Sequence, residues 1–400
     1  MCGKTYKPGQ VEYTCTVCGA DGILDVHYDY EQVHKVLNRD TLAANSDRTL
    51  WRYLPLLPIP QGARLPRLTV GMSPIYDVPI LATEFGVKRL LVKDEGRGPT
   101  ASFKDRASAI GATRALALGR SEIACASTGN AATSLAGFAA DLGLAAKIFV
   151  PASAPEAKVA QLLIYGAKVF LVKGTYVDAW NICQAAVAEF GWYNRSCAVN
   201  PYLVEGKKTG GLEIAEQLAR ELPDVVFVPV GDGCIISGIC KGLIEMKELG
   251  VTSRVPRVIG VQAEGAAPIA AAFNAGKDRV VPVEANTLAD SISVGTPRNW
   301  KKAIHYVRAT GGSFVTVSDP AILEMIPKLA RASGVFAEPT GCVAAAGVRE
   351  ARARGLVAAG DSVLVLATGN GLKDVRGAMR AVTLPEPVTP DLAAIRQALS

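Results

Sequence analysis

Short apolar runs alternate with longer amphipathic stretches along the chain from about residue 85 onward. Strands buried on both faces are indicated by the runs RLLVK, EIACAS, AKIFVP, AKVFLV, VVFVPV, RVIGVQ and SVLVLAT. Helices are indicated by the Ala-rich stretches between them, such as ATSLAGFAADLG and KKTGGLEIAEQLARE. Strands that alternate with helices form mainly parallel sheets covered by helices. The pattern therefore predicts an α/β fold.

The predicted elements fall into two groups, which suggests two α/β domains. We expect residues 88–205 to form the smaller domain, and residues 29–87 together with 206–383 to form the larger one. Residues 1–28 have a different pattern and would form a separate, zinc-ribbon-like segment. Residues 384–400 begin with the linker-like LPEPVTP and would end in a short helix.

Composition and charge narrow the classes of protein that this chain can belong to. Hydrophobic residues make up 49% and charged residues 20%, which is typical of a compact soluble protein. The net charge of +6 comes without a dense basic block, so we expect no nucleic-acid partner. The apolar runs carry charges or stop short of about 18 residues, so we expect no membrane partner. The start, MCGKTYKPGQ, has no apolar signal core, and a cytoplasmic location is expected by default.

The N-terminal segment contains a possible metal site. Cys15 and Cys18 form a Cys-x-x-Cys-Gly knuckle, and Cys2 is also followed by glycine. A structural zinc site needs four ligands, usually from two such pairs, and the partner of Cys2 would fall before residue 1. His27 could supply the fourth ligand, although a single His near a strand end is more often structural. Zinc binding stays open, and a degenerate ribbon, or a start site placed too late, is the favoured interpretation.

Three junctions between a predicted strand and a predicted helix carry residues suited to ligand binding. In open parallel sheets, ligands bind at the carboxyl ends of the strands. Hydroxyl groups, glycines and the free amides of a helix start can together hold an anion. Each junction alone is also compatible with an ordinary helix cap or packing turn. In chain order they are Ser127-Thr128-Gly129-Asn130, Gly231-Asp232-Gly233-Cys234-Ile235 and Thr368-Gly369-Asn370.

Lys104 lies in the stretch KDEGRGPTASFKDRAS, directly after Phe103 and a turn-rich approach. A lysine that forms a Schiff base must be partly desolvated, so that its amine is neutral often enough to attack a carbonyl. The apolar neighbour fits that requirement. On the local sequence alone, a surface lysine at a helix start is the simpler interpretation.

Taken together, these segments resemble the threonine synthase family of pyridoxal-phosphate enzymes, which have the tryptophan synthase β fold (fold type II). The similarity rests on KDEGRGPTASFKDR, ASTGN, NPYLVEGKKT, PVGDGCIISG, VQAEGAAPI, FAEPTGCVAAAG and TGNGLKD, which occur in the family's order. The resemblance covers roughly residues 1–380. It implies two three-layer domains with mainly parallel sheets, pyridoxal 5′-phosphate as cofactor, a small amino-acid substrate and a homodimer.

The resemblance also implies roles for individual residues. Lys104 would form the Schiff base with the cofactor, and Asn130 would hydrogen-bond the cofactor's 3′ oxygen. Thr368 would face the pyridine nitrogen as a neutral partner, which suits elimination and replacement better than transamination. The cofactor phosphate would be held by the backbone amides of Gly231, Asp232, Gly233, Cys234 and Ile235. The substrate carboxylate would be bound by Ser127, Thr128 and Gly129.

Three positions depart from the family pattern where that pattern contacts the substrate phosphate. The family's Arg in N-P-x-R-x-E-G is Leu203 here, its Thr after S-T-G-N is Ala131, and its Asn before N-P is Cys197. An Arg–phosphate contact is a strong bidentate pair, so these changes argue against the family's usual mode of binding O-phosphohomoserine. Arg97 and Arg298 are the sequence's candidates for binding a relocated anion.

The sequence therefore favours a lyase or synthase that uses pyridoxal phosphate, with threonine synthase as the best named activity. That enzyme converts O-phosphohomoserine and water to threonine and phosphate. The alternative within the family is another substrate, through a cysteate-synthase-like or other β-replacement, for example on O-phosphoserine, or through a Ser/Thr dehydratase-like elimination. Outside this class, a cofactor-binding sensor without catalysis and a zinc-ribbon interaction protein remain open.

Overall fold

The computed structural model describes residues 2–399 and contains two β-sheets flanked by helices. The strands are β1 (Ile75–Asp77), β2 (Arg89–Asp94), β3 (Glu122–Ala126), β4 (Ala145–Pro151), β5 (Lys168–Val172), β6 (Tyr193–Asn194), β7 (Val225–Pro229), β8 (Arg257–Ala263), β9 (Ser313–Val317) and β10 (Ser362–Ala367). The α-helices are α1 (Tyr30–Val36), α2 (Arg39–Ala44), α3 (Pro79–Phe85), α4 (Lys104–Ala117), α5 (Asn130–Leu142), α6 (Glu156–Ile164), α7 (Tyr176–Phe190), α8 (Tyr202–Gln217), α9 (Cys234–Glu248), α10 (Pro268–Asn274), α11 (Trp300–Ala309), α12 (Asp319–Ser333), α13 (Pro339–Ala353), α14 (Val375–Met379) and α15 (Leu392–Leu399).

Both sheets are mainly parallel, which confirms the α/β class. The larger sheet has six strands in the order β1-β2-β10-β7-β8-β9, and only β1 runs antiparallel to its neighbour. The smaller sheet has four parallel strands in the order β5-β4-β3-β6. Every residue of β7 is buried, as expected of a central parallel strand covered on both faces.

Each sheet is covered by helices on both faces. One core of the larger sheet is formed with α3, α12 and α13, and the other with α8, α9, α10 and α11. The smaller sheet packs against α4, α5 and α6 on one face and against α7 on the other. The two three-layer units expected from the resemblance are therefore present.

The strand β2 lies in a different sheet from the one that the expected boundary at residue 88 would give it. It pairs in parallel with β10, with Leu90 opposite Val363, and so belongs to the six-stranded sheet. Its residues from Leu90 onward are buried, and this run completes the large core rather than the small one. The chain reaches the smaller unit only after β2, at the loop that precedes Lys104.

Glycines allow α8 to lie in close contact with the helices on either side of it. A Cβ atom at Gly206 would lie 2.3 Å from the carbonyl oxygen of Arg106 in α4. A Cβ atom at Gly211 would lie 2.3 Å from the carbonyl oxygen of Ile239 in α9. Only glycine permits these approaches. They bring one side of α8 against the helix that begins with Lys104.

The two ends of the chain differ from the sheet-forming regions. Within residues 2–28, the N-terminal segment has a single antiparallel bridge, between Thr14 and Ile23. The C-terminal helix α15 is present as expected, and it buries none of its residues. Among the helices of residues 2–399, none has the length and apolar character needed to cross a membrane.

Candidate active site

A cavity of about 420 Å³ lies at the carboxyl ends of β3, β4, β6 and β7. This is the position at which open parallel sheets bind their ligands. The structure brings two of the three predicted junctions to its wall, residues 127–130 and 231–235, and Lys104 lines the same cavity. Residues that are more than 100 positions apart in the chain thus share one site.

Lys104 is half-buried and begins α4. Burial lowers the pKa of its amine to about 8, and the positive charge of Lys207 acts in the same direction. A lysine in this state is neutral far more often than one on the surface, as Schiff-base formation requires. The structure therefore favours the chemical interpretation of Lys104 over the solvated one.

The loop that positions Lys104 contains a strained residue. Ala101 has a φ of 62°, in the left-handed region that non-glycine residues rarely adopt. Its carbonyl oxygen accepts a hydrogen bond from the amide of Asn370 at 3.0 Å, which holds the turn in place. Glycine would adopt this conformation without strain.

Thr368 lies at the end of β10, beside the start of α4. Its carbonyl oxygen accepts a hydrogen bond from the amide of Phe103 at 2.8 Å, so the third junction is joined directly to the lysine's helix. The Thr368 side chain is 4% exposed, and its hydroxyl has no hydrogen-bond partner among the described residues. Leaving a buried hydroxyl unpaired costs roughly 1–3 kcal/mol. A bound heterocyclic nitrogen would satisfy it.

The glycine-rich loop between β7 and α9 forms a cradle for an anion. Gly233 has a φ of 90°, and a Cβ atom there would lie 2.8 Å from Cβ of Ala303. Backbone amides at the start of a long helix attract a phosphate group. The carboxylate of Asp232 accepts a hydrogen bond from the backbone amide of Arg298 at 3.1 Å, which gives this acidic side chain a partner other than the ligand.

The first junction places Asn130 at the start of α5 with its side chain nearly buried. Its amide nitrogen donates to Oε1 of Glu338 at 2.8 Å. The hydroxyl of Ser127 accepts from the amide of Gly129 at 3.2 Å and shapes the turn. Thr128 and Gly129 line the cavity beside them, where free hydroxyls and amides can receive a carboxylate.

Glu338 is a buried group of this region that the sequence analysis quoted in FAEPTG without assigning it a role. Burial raises its pKa to about 7, and the positive charge of Lys104 opposes that shift. It immediately precedes α13 and contacts Asn130. A carboxyl directly before Pro339 at a helix start was the available signal, but nothing in the sequence placed it near Lys104.

Two further cations line the cavity and were also missed. Arg195 follows β6, and Lys207 lies on α8; they are 2% and 1% exposed. The strand β6 has only two residues, too few for a hydrophobic pattern to reveal. Because β6 was not predicted, the rule about strand ends could not point to Arg195.

The cations that the sequence did propose lie elsewhere. Arg97 is exposed and is not among the residues that line the cavity. Arg298 is also exposed, with its guanidinium 4.2 Å from the ring centre of Trp180, a residue of the cavity wall. Arg298 therefore lies at the edge of the site, whereas Arg97 lies outside it.

The three positions that depart from the family pattern are not equivalent. Ala131 and Cys197 both line the cavity. Leu203 is fully buried and packs against Gly111 of α4, where an added Cβ atom would lie 2.5 Å from its Cδ2. In this chain, position 203 therefore belongs to the helix packing and not to the cavity wall.

The N-terminal thiols of Cys2, Cys15 and Cys18 are close together, with their sulfur atoms within 4.8 Å of one another. His27 is not part of this group. Three thiols form most of a zinc site, which normally has four ligands. Zinc binding here stays a prediction, which metal analysis of the purified protein would test.

The residues present fit pyridoxal phosphate. They supply an amine with a lowered pKa, a buried hydroxyl without a partner among the described residues, and a glycine cradle at a helix start. These are the groups that would hold the aldehyde, the ring nitrogen and the phosphate of that cofactor. The fold and the site together define the class of pyridoxal-phosphate dependent enzymes, and a family model of that description matches residues 66–369.

Similar proteins identify the family of this chain within the class of pyridoxal-phosphate dependent enzymes. The chain is 38% identical to a threonine synthase of Methanosarcina acetivorans, over 100% of this chain and 97% of that protein. It is 37% identical to a threonine synthase of Methanocaldococcus jannaschii, over 100% of this chain and 98% of that protein. The chain belongs to the threonine synthase family of pyridoxal-phosphate dependent enzymes.

Solved structures agree at the level of the fold. A threonine deaminase from T.th. has a TM-score of 0.63 and 29% identity, covering 74% of this chain and 92% of that one. The threonine deaminase isoform 2 of Solanum lycopersicum has a TM-score of 0.66 and 24% identity, covering 78% and 88% of the two chains. Both similarities support the α/β fold described above.

Proposed function

We propose that this protein is a pyridoxal-phosphate dependent lyase or synthase whose activity is that of a threonine synthase. The reaction would convert O-phosphohomoserine and water to threonine and phosphate. The proposal is carried by two neighbouring groups: Lys104, whose pKa is lowered to about 8, and Thr368, whose hydroxyl has no hydrogen-bond partner among the described residues. The amide of Phe103, directly before Lys104, donates to the carbonyl oxygen of Thr368 and so holds the two groups near each other. A site with these two groups suits elimination and replacement at an amino acid.

The chain's own residues can bind and orient the substrate and move its protons. The bound cofactor would supply the electron sink that makes the substrate's α proton acidic. Lys104 is placed to accept and return a proton, because its amine has a pKa of about 8. The hydroxyls and amides of residues 127–129 would hold the substrate carboxylate. Glu338, with a pKa of about 7, can hold or release a proton beside Asn130 near neutral pH.

A sibling activity on a different substrate is the second candidate. It is favoured by Ala131 and Cys197, which line the cavity where the family pattern has polar side chains for the substrate phosphate. Such an enzyme would eliminate or replace a group at Cβ, for example with O-phosphoserine as substrate. The same cofactor and the same Lys104 would serve both activities.

Product analysis of the cofactor-loaded enzyme separates these candidates. O-phosphohomoserine, O-phosphoserine, O-acetylserine, serine, threonine and homoserine would each be incubated with it, and released phosphate and amino-acid products measured. Threonine and phosphate formed from O-phosphohomoserine in equal amounts support threonine synthase. Turnover of O-phosphoserine alone supports the sibling activity. A loaded enzyme that turns over none of the six compounds contradicts both proposals.

The quaternary state and location belong to the proposal as well. The homodimer is expected only from the family resemblance, and light scattering on a sizing column would test it. A cytoplasmic location is consistent with a biosynthetic enzyme, and fractionation of the source cells would test it.

A further inference from the structure

We propose that Arg195 and Lys207 form an anion subsite within this cavity, which binds a phosphoryl group carried by the amino-acid substrate. The inference rests on the proposed function and specifies the chemistry that its substrate presents. It also relocates the anion contact, which the sequence had assigned to Arg97 or Arg298. Both exposed arginines lack the burial that makes a phosphate contact strong.

Arg195 is held in place at the cavity wall by neutral partners. Its backbone amide donates to the carbonyl oxygen of Ala124 at 2.8 Å, which fixes the residue at the end of β6. Its Nη2 donates to the hydroxyl of Ser108 at 2.9 Å, and its Nε to the same oxygen at 3.3 Å. Its Nη1 lies 3.7 Å from the sulfur of Cys197. Ser108 is one helical turn beyond Lys104, so these bonds aim the guanidinium at the same site.

Lys207 reaches the cavity from α8, where its Cβ atom lies next to Gly238 of α9. Its amine interacts with the thiol of Cys197, whose pKa is lowered because the positive charges of Lys207 and Arg195 outweigh the effect of burial. Cys197 therefore lies between the two cations. The three residues together with Lys104 form a positively charged end of the cavity.

Neither cation has a carboxylate partner within residues 2–399. The cavity wall does contain two aspartates, but each is engaged elsewhere. Asp290 pairs with Lys158 at 2.6 Å, and Asp232 accepts the amide of Arg298 at 3.1 Å. The thiol of Cys197, with its lowered pKa, can offset at most one of these two buried positive charges, so the pair still calls for an anionic ligand.

The cofactor phosphate is the other anion that could meet this demand, and the structure provides for it separately. The loop at residues 231–233 and the start of α9 already offer backbone amides for one phosphate. Arg195 and Lys207 belong to other segments of the chain, and their neighbour Cys197 contacts the cradle through its carbonyl oxygen, which accepts from the thiol of Cys234 at 3.3 Å. The two cations therefore lie beside the cradle and are not part of it. We therefore assign them to the substrate's phosphoryl group.

The test uses cofactor-loaded enzyme carrying Arg195→Met, Lys207→Met or both substitutions, with Arg195→Lys as the conservative variant. Inorganic phosphate is titrated into each holoenzyme by calorimetry, and cofactor affinity is measured by fluorescence. We expect the double variant to bind phosphate at least about 30-fold more weakly, since each lost contact is a buried charged one. The KM for the phosphorylated substrate should rise about 100-fold, with a smaller fall in kcat. Arg195→Lys should recover part of the phosphate affinity, and cofactor affinity should change less than about threefold.

Arg97→Met is the matched control, because it removes an exposed cation outside the cavity and should leave every readout unchanged. The proposal is overturned if the double variant binds phosphate as the wild type does. It is also overturned if cofactor affinity falls in parallel with phosphate affinity, since the cations would then serve the cofactor. Phosphate binding does not depend on turnover, so a subsite confirmed by calorimetry without any turnover would reject the proposed function alone.

Discussion

Buried cations lie on different sides of α4 and α8, and among the described residues only those on one side are paired with carboxylates. Lys207 and Lys208 are neighbours on α8. Lys208 lies 2.7 Å from Glu205 and 2.9 Å from Glu245, whereas Lys207 has a thiol and no carboxylate beside it among residues 2–399. Burial is nearly complete for both lysines, so burial does not distinguish them.

The same contrast occurs on α4. Arg106 lies 2.8 Å from Glu95 and 2.6 Å from Glu213, while Lys104, two positions earlier, opens onto the cavity. The paired cations join α8 to α9 and α4 to α8, and the cations without a carboxylate leave charge available for a ligand. Whether a buried cation has a carboxylate partner, rather than how deeply it is buried, therefore indicates whether it stabilises the fold or binds a ligand.

The largest effect is expected at Lys104, on the unpaired side. Lys104→Met removes the amine that we propose forms the Schiff base, so turnover should fall by at least about 10³-fold. The free energy of unfolding of the cofactor-free protein should not decrease, because a partly desolvated charge has been removed. Turnover assays and urea unfolding measure the two quantities. Lys277→Met, at an exposed lysine, is the control, and a Lys104→Met variant that retains turnover contradicts the site.

The sharpest test of the comparison is the pair Lys207→Met and Lys208→Met. Removing Lys208 leaves Glu205 and Glu245 with less counter-charge, and should lower the free energy of unfolding by about 3–5 kcal/mol. Removing Lys207 leaves no carboxylate without a counter-charge, so the free energy of unfolding should fall by less than about 1 kcal/mol. Urea denaturation of both cofactor-free variants provides the values. Equal losses would mean that the two sides of α8 do not differ in the way proposed.

The carboxyl group of Glu213, which pairs with buried cations, and that of Glu338, beside the cavity, should change the free energy of unfolding with pH in opposite directions. Burial would raise the pKa of Glu213, but Arg106 and Lys93 lower it to about 2. Glu338 instead has a pKa raised to about 7, so its folded form binds a proton more tightly than the unfolded chain does. Its contribution to stability must therefore fall as pH rises from about 4.5 to about 7.

Glu338→Gln should remove that dependence. The variant should equal the wild type below about pH 4.5 and be more stable by up to about 3 kcal/mol above pH 7. Urea unfolding of the cofactor-free proteins at pH 5 and pH 8 measures the difference. A variant that is destabilised more at pH 8 than at pH 5 would show that the carboxylate is stabilised by its surroundings.

The smallest effect is expected from Thr368→Val. The hydroxyl has no partner among the described residues, so its removal should change the free energy of unfolding by less than about 1 kcal/mol. Cofactor affinity should weaken about tenfold, by loss of one hydrogen bond to the ring nitrogen. Thr113→Val is matched to it, since that hydroxyl is also buried without a partner among the described residues but lies nine positions beyond Lys104 in α4. Equal cofactor affinity in both variants would contradict the role given to Thr368.

The sequence predicted those parts of the fold and site that depend on short-range patterns. The apolar runs marked the long strands, and the residues after them marked the ligand-binding junctions, because strand ends and helix starts are local features. The strand β6 has two residues, which are too few to produce such a pattern. It was not predicted, and Arg195, which follows it, was missed for the same reason. The assignment of β2 to the larger sheet also needed its pairing with β10, which is a long-range contact.

The sequence by itself determined the α/β class and marked Lys104 and the glycine-rich loop after β7 as candidates, since the apolar runs and the motifs are each encoded within a few consecutive residues. Only the tertiary structure decided which cations face the cavity and which face carboxylates. Lys207 and Lys208 are identical in type and adjacent in sequence, and the rotation of α8 separates them by about 100°. That rotation is set by glycine contacts with α4 and α9, far away in the chain. The orientation of a buried charge is therefore a property of the packing between helices.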